Sequence, residues 1–206
     1  MNLDHLLLGV ADLDRGIAEF EKLTGVRAAY GGKHPRGTHN ALAALGHSSY
    51  VELVAVQPGI PVPAKLAHLL ELETLTPIGW AVAARDVDEI RSGLAGAGLS
   101  GGESKEGSRL TPHGTTLRWT IVELEPKLPE APFFIAWAPD GPHPASTSPS
   151  GCTLADWHVA GPNGAGLDRL CQALELPVSA TDALEVSMRL VLSTPRGNVA
   201  FETGRC

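Results

Sequence analysis

The sequence predicts an α+β fold: paired βαβββ modules forming curved mixed sheets around a cleft, with a shortened third βαββ unit at the C-terminus. Three observations predict it. An apolar strand, an amphipathic helix and a set of short strands follow one another from residue 3, and the same order returns from residue 78. A shorter version starts at residue 154. Each unit, one sheet backed by one helix, leaves its concave face open. Two units must therefore pair to cover it, and pairing creates the kind of cleft in which ligands sit.

Residues 3–10 are almost wholly apolar and read as a strand buried on both faces. Alternation puts Leu3, His5 and Leu7 on one face and Asp4, Leu6 and Leu8 on the other. Asp12 offers a helix N-cap, Leu13, Ile17, Phe20 and Leu23 follow at helical spacing, and Gly25 stops the helix. Beyond a Gly/Pro-rich loop at 31–37, the runs 39–45 and 50–56 flank turn residues and read as a hairpin. Pro58, Pro61 and Pro63 mark a linker, and residues 64–73 carry Leu66, Leu69, Leu70 and Leu72 mostly on one side of a helix. The second copy has a strand at 78–84, then a helix bearing Val87, Ile90 and Leu94 that ends at Gly96 and Gly98. A polar loop at 100–112 and strands at 115–124 and 133–138 complete it. Residues 139–151, rich in Pro, Ser, Thr and Gly, read as a linker. The third copy has a strand at 154–160, a helix at 167–174, and a hairpin of 184–192 with 198–203. The repeat thus divides the chain into a first module at 1–58, a second at 76–138 and a partial third unit at 152–206 packed on the same domain.

The chain has 206 residues, 43% hydrophobic and 19% charged, which is enough apolar content to fill a core. Its net charge is −7 and it has no Lys/Arg run, so nucleic acid is not an expected partner. Cys152, Cys171 and Cys206 are odd in number and far apart, forming neither a disulfide framework nor a CxxC zinc site. That pattern fits a reducing cytoplasm. No apolar run reaches the roughly 20 residues a membrane helix needs, and the N-terminus carries acids where a signal peptide carries bases. A cytoplasmic protein with no membrane partner is expected. The signatures GxGxxG, HExxH and GxSxG and the phosphate-loop pattern are missing from the sequence.

Four motifs run in order across both full modules: Leu3-Asp4-His5-Leu6, Gly37-Thr38-His39-Asn40, Tyr50-Val51-Glu52-Leu53 and Phe133-Phe134-Ile135-Ala136-Trp137. In these residues the chain resembles the vicinal oxygen chelate superfamily of glyoxalase I, extradiol dioxygenases and bleomycin-resistance proteins. Within it the chain looks most like the glyoxalase-like domain proteins. The resemblance implies that His5, on the first strand, and Glu52, on the last strand of the first module, are ligands of a divalent metal: Zn, Ni, Mn or Fe. In two-module relatives the second module supplies the remaining ligands. Here the aligned positions are Trp80 and Ala136, which cannot ligate.

The residues themselves carry the same candidates. Neutral imidazole on a rigid strand is a common ligand of transition metals; the alternative for His5 is a buried histidine bonded to a neighbour. A carboxylate on the inward face of a strand must find a cation, a metal or a donor, or hold a proton. The alternative for Glu52 is a solvent-facing carboxylate or one paired with Arg. Its same-face neighbours Tyr50 and Val54 suit a ligand pocket. Glu52 is also the candidate catalytic base for a proton beside a carbonyl. His39 could supply a third metal ligand, or tie down the turn at 37–40. Trp80 and Trp137 offer a flat apolar wall for a planar ligand, or ordinary core packing. Arg118 could recognise a carboxylate or phosphate, or lie on the surface. His158 and Glu202 read as structural or surface residues, and Cys171 as a core thiol. The glycine-rich stretches 31–37 and 101–113 read as lids over the cleft. The function expected is binding of a small oxygenated molecule between the modules, with metal-assisted lyase, isomerase or oxygenase chemistry. The alternative is a non-catalytic binding or sequestering protein with no metal. A third copy capping a sheet edge or forming a homodimer interface stays open.

Overall fold

A computed structural model describes residues 1–203; Cys206 lies outside them. The N-terminal apolar run forms β1 (Asn2–Gly9) and leads into α1 (Leu13–Thr24). The Asp12 side chain accepts from the Arg15 N–H, and Gly25, at φ 80°, closes the helix in the left-handed region. β2 (Ala29–Lys33), β3 (Thr38–Ala44) and β4 (Tyr50–Val56) complete the first module. The second repeats the order: β5 (Thr76–Ala84), α2 (Val87–Gly96), β6 (Lys105–Leu110), β7 (Thr116–Val122) and β8 (Phe133–Trp137). A single turn, α3 (Pro144–Thr147), precedes the third unit of β9 (Thr153–Gly161), α4 (Gly164–Ala173), β10 (Ser179–Asp182), β11 (Ser187–Thr194) and β12 (Gly197–Glu202). Among the described residues no helix is long and apolar enough to cross a membrane.

The first two modules share one eight-stranded sheet, ordered β2-β3-β4-β1-β5-β8-β7-β6. Antiparallel pairing of β1 with β5 joins them at its centre. β4 lies parallel to β1, and β8 occupies the equivalent parallel place beside β5. The third unit forms a separate sheet, ordered β10-β9-β11-β12, and does not extend the first. It covers the back of β5: Trp80 meets Trp157 edge to face at 6.5 Å, and Phe20 of α1 stacks on Phe201 of β12 at 6.0 Å. One continuous core therefore runs through all three units, from Leu6 and Leu53 through Trp80 and Phe134 to Trp157 and Leu190.

The structure changes several local expectations. Each stretch read as a lid holds part or all of an edge strand, β2 as far as Lys33 and β6 over Lys105–Leu110. β2 pairs with β3 as far as Lys33 with His39, and β6 pairs with β7 along its whole length. Their glycines sit beneath side chains of the neighbouring strand. A Cβ on Gly31 would lie 2.4 Å from Asn40 Oδ1, and one on Gly107 would lie 2.4 Å from Trp119 Nε1. The helix read at 64–73 is a 3-10 helix (Ala64–Glu71), of which only Leu69 is buried. β10 is a short additional strand in a polar stretch.

The most consequential departure is in β1. Against β5, Leu3 pairs with Val82 and His5 with Ala81, which leaves Asp4 without a partner. This β-bulge resets the alternation. Leu3 joins Leu6 and Leu8 in the core, and Asp4 turns to the concave side with His5.

Trp80 is wholly buried, and its indole N–H donates to the Glu130 carbonyl at 3.1 Å. Trp80→Ala should lower the unfolding free energy by about 3–5 kcal/mol in urea denaturation. A loss below about 1 kcal/mol would show that this position does not anchor the core.

Candidate functional site

The concave face of the large sheet encloses a cavity of about 300 Å³, at the lower end of small-molecule sites. Strand alternation decides what enters it. From the first module come His5 and Leu7 of β1, Thr38 and Asn40 of β3, and Tyr50, Glu52 and Val54 of β4. The second module contributes Trp119 and Ile121 of β7, Phe133, Ile135 and Trp137 of β8, and Arg109 of β6. One half of the wall is polar and ionisable. The other is aromatic and aliphatic along β7 and β8, with Lys105, Glu106 and Arg109 along β6.

Asp4 organises the polar half from behind. It is fully buried, and three donors converge on it. His5 Nδ1 lies 2.5 Å from Oδ1, while Trp137 Nε1 and His143 Nε2 lie 2.9 Å and 3.0 Å from Oδ2. His143 Nδ1 accepts the Ala145 backbone N–H at 3.2 Å, so its proton resides on Nε2 and points at Asp4. Burial works against the Asp4 charge, but the bonds from His143 and His5 outweigh it and hold the carboxyl down at about 2. Burial likewise works against a charged His5, yet the bond and charge of Asp4, helped by Glu52, raise its pKa. His5 Nδ1–H is thus committed to Asp4, and Nε2 faces Glu52 Oε2 at 3.3 Å. Glu52 is itself buried, and its Oε1 accepts from Asn40 Nδ2 at 2.7 Å. His34 Nε2 stands 3.7 Å from the same oxygen, and burial lowers the His34 pKa. The Tyr50 ring stacks on His5 at 4.7 Å and Phe133 meets it edge-on at 5.4 Å, which locks the imidazole plane.

The implied divalent metal does not fit this donor set. A catalytic ion usually takes three protein ligands. Among the described residues no group of three or more His, Cys, Asp or Glu side chains is arranged to hold one. The asparagine amide occupies Glu52 Oε1, and strands β7 and β8 of the second module bring only apolar and aromatic side chains to the cavity. Arg109 adds a fixed positive charge to the same space.

His5, Glu52, Tyr50 and Trp137 all line the cavity. Three other candidates do not. His39 lies on the opposite face of β3, with its ring edge-on to Tyr30 at 6.2 Å, because Thr38 and Asn40 hold the inward positions. Trp80 pairs in register with Leu6, not His5, so it faces the core, and Ala81 takes the place opposite His5. Ala136 also lies in the core. Arg118 is exposed and pairs with Asp140 at 3.0 Å, since Trp119 and Ile121 are the inward residues of β7. His158 bonds Ser179 and Thr181 on an exposed face, and Glu202 pairs with Arg189 there. Cys171 is a buried free thiol. Site residues not singled out from sequence include Asp4, hidden by the bulge, and Asn40, His34, Arg109 and His143. Strand parity within 39–45 could have found Asn40. The last three lie in stretches read as loops or linker, where no periodicity points to them.

The βαβββ pairing around a cavity is the arrangement the sequence repeat predicts. The family model described as "Glyoxalase-like domain" matches residues 3–175. The chain belongs to the glyoxalase-like domain family. Among solved structures, a hypothetical protein from Staphylococcus aureus is similar with a TM-score of 0.62 at 16% identity, covering 98% of this chain and 85% of that one. A methylmalonyl-CoA epimerase from Mycobacterium tuberculosis aligns at a TM-score of 0.47 and 21% identity, over 68% of this chain and 88% of that one. A triple mutant of 4-hydroxymandelate synthase from Streptomyces coelicolor aligns at 0.49 and 13% identity, over 98% and 62%. No match is found among curated protein sequences.

The Asp4 network sets a pH signature for stability. Asp4 has its pKa lowered from 3.8 to about 2. Its contribution, about 2 kcal/mol, is complete above pH 4 and is lost as pH falls toward 2. His5 is raised above 6.5, so its contribution is complete below pH 6.5 and fades as pH climbs through the folded value. The stability difference between the wild type and Asp4→Asn should therefore be largest between about pH 4 and 6.5 and narrow on both sides. Urea denaturation across pH 2–9 measures it, and a difference that does not vary with pH would rule out this ionic network.

Proposed function

We propose that the cavity binds a small oxygenated molecule and moves a proton on it, in isomerase- or lyase-type chemistry. Glu52, in its carboxylate form, takes a proton from a carbon or hydroxyl beside a carbonyl. His5 stands next to it with Nδ1–H fixed on Asp4, so its other nitrogen is the one that can exchange a proton with Glu52 or with the developing oxyanion. Arg109 borders the same space and adds positive potential where negative charge would build up. The observation that carries this reading is the 3.3 Å approach of His5 Nε2 to Glu52 Oε2 in a cavity walled by aromatic rings. A base and its acidic partner in such surroundings are a recurrent feature of proton-transfer sites.

A second reading, binding without turnover, is favoured by the apolar wall of the second module, where Ala81 faces His5. One experiment separates the two. A panel of 2-oxo acids and α-hydroxyketones is incubated with enzyme in D2O, and loss of the α-C–H signal is followed by proton NMR. Exchange with wild type should exceed that with Glu52→Gln by about 100-fold or more for at least one member. Equal exchange by the two proteins, with ligand-induced shifts preserved, would overturn proton transfer and leave the binding protein.

A further inference from the structure

We infer that the ligand carries a carboxylate, that Arg109 receives it, and that a planar apolar body extends from it against the paired indoles of Trp119 and Trp137. This rests on the cavity being a small-molecule site, and it adds the chemical class of the molecule.

Arg109 projects from β6 into the cavity and is only 6% exposed. Its sole hydrogen-bond partner among the described residues is the Gly31 carbonyl, which engages Nη1. No carboxylate of the described residues pairs with it, although exposed pairs are common elsewhere in the chain. Glu52 and Glu106 both line the cavity, but neither pairs with Arg109, and Asn40 and His5 already occupy the two Glu52 oxygens. A buried guanidinium without a counter-ion is costly, and its planar fork of five donors matches a carboxylate. The site thus lacks one component, and a ligand carboxylate has the required charge and shape.

The walls set the rest of the molecule. Gly107 and Arg109 share one face of β6, and Gly107 lies in register with Trp119 and directly beneath its indole. Trp119 and Trp137 meet edge to face at 5.4 Å. A carboxylate at Arg109 therefore places the attached group against the two indoles, with Phe133 and His5 beyond them. An aryl or other flat apolar group suits those rings.

The test titrates wild-type protein with phenylacetate, its neutral isostere phenylacetamide, and inorganic phosphate, followed by tryptophan fluorescence and NMR shifts. Phenylacetate should bind at least about tenfold more tightly than phenylacetamide. Arg109→Lys, which keeps a donor for Gly31, should lose most of that preference while retaining its thermal midpoint. Glu52→Gln should keep the preference. Equal binding of acid and amide by the wild type, or no binding of either up to about 10 mM, would overturn the inference without needing any variant. So would a preference that survives in Arg109→Lys. Phosphate displacing phenylacetate at lower concentration would overturn the carboxylate in favour of a phosphoryl group. The two readings fail separately. Carboxylate preference without Glu52-dependent exchange removes proton transfer alone, and exchange without carboxylate preference removes only the present inference.

Discussion

Asp4 has no contact with solvent, and donors from three separate parts of the chain meet its charge: the next residue on β1, the last residue of β8, and a histidine beyond β8. An isolated carboxylate in that position would be strongly unfavourable, whereas one with a full set of charge-assisted bonds is tolerated. The β-bulge makes this arrangement possible. With regular pairing Asp4 would point into the apolar core behind the sheet, and Leu3 would occupy the concave side. The extra residue exchanges them. Everything distinctive about the site follows from that exchange. The imidazole of His5 is held in one orientation, its free nitrogen faces Glu52, and Trp137 is tied across from the second module to the first.

Duplication explains the shape of the cavity but not its chemistry. The halves supply equivalent strands around β1 and β5, so each presents a face to the same space. The first half fills it with His5, Glu52, Asn40 and Tyr50, and the second with Ile121, Phe133, Ile135 and Trp137. An apolar half lowers the local dielectric and strengthens electrostatic interactions made by the polar half. Ala81, directly beside His5 on β5, leaves room where a larger side chain would fill the centre of the sheet. The third unit has no part in this wall. It covers the back of β5, and Trp80 meets Trp157 there.

Much of this was legible in the sequence because it is written in short-range pattern. The repeat, the cap at Asp12, the apolar β1 and the shared face of Tyr50, Glu52 and Val54 all follow from periodicity and helix-end chemistry. What was not legible depends on partners distant in sequence. The bulge at Asp4 exists because Trp137 and His143 arrive to satisfy it. Trp80 faces inward to a core completed by a sheet that begins some seventy residues later at Thr153. β6 reads KEGSRL, with Leu110 its only apolar residue, so nothing in its composition announces a strand. Its identity comes from pairing with β7, and without it Arg109 cannot be assigned to a face. Arg118, chosen for its apolar surroundings, has the wrong parity: the residue beside it, Trp119, takes the inward position.

The charge distribution also says at what range the site selects. The whole chain carries a net charge of −7, so its long-range field disfavours the approach of an anion. Around the cavity the charges are mixed: Arg109 is fixed in the wall, Arg36 and Lys105 border it, and Glu52 and Glu106 stand among them. Screening removes most of the distant repulsion at physiological ionic strength within about 8 Å, whereas a buried guanidinium acts undiminished on a group that has shed its water. Selection by such a site therefore falls on the bound state, through the dissociation rate, more than on the rate of encounter. The same Arg109 binds the Gly31 carbonyl and so links the two edge strands, β6 and β2, across the open side of the sheet. The cation that faces the cavity is thus also the tie that closes its mouth, and charge inside the site and closure of the sheet are set by one side chain.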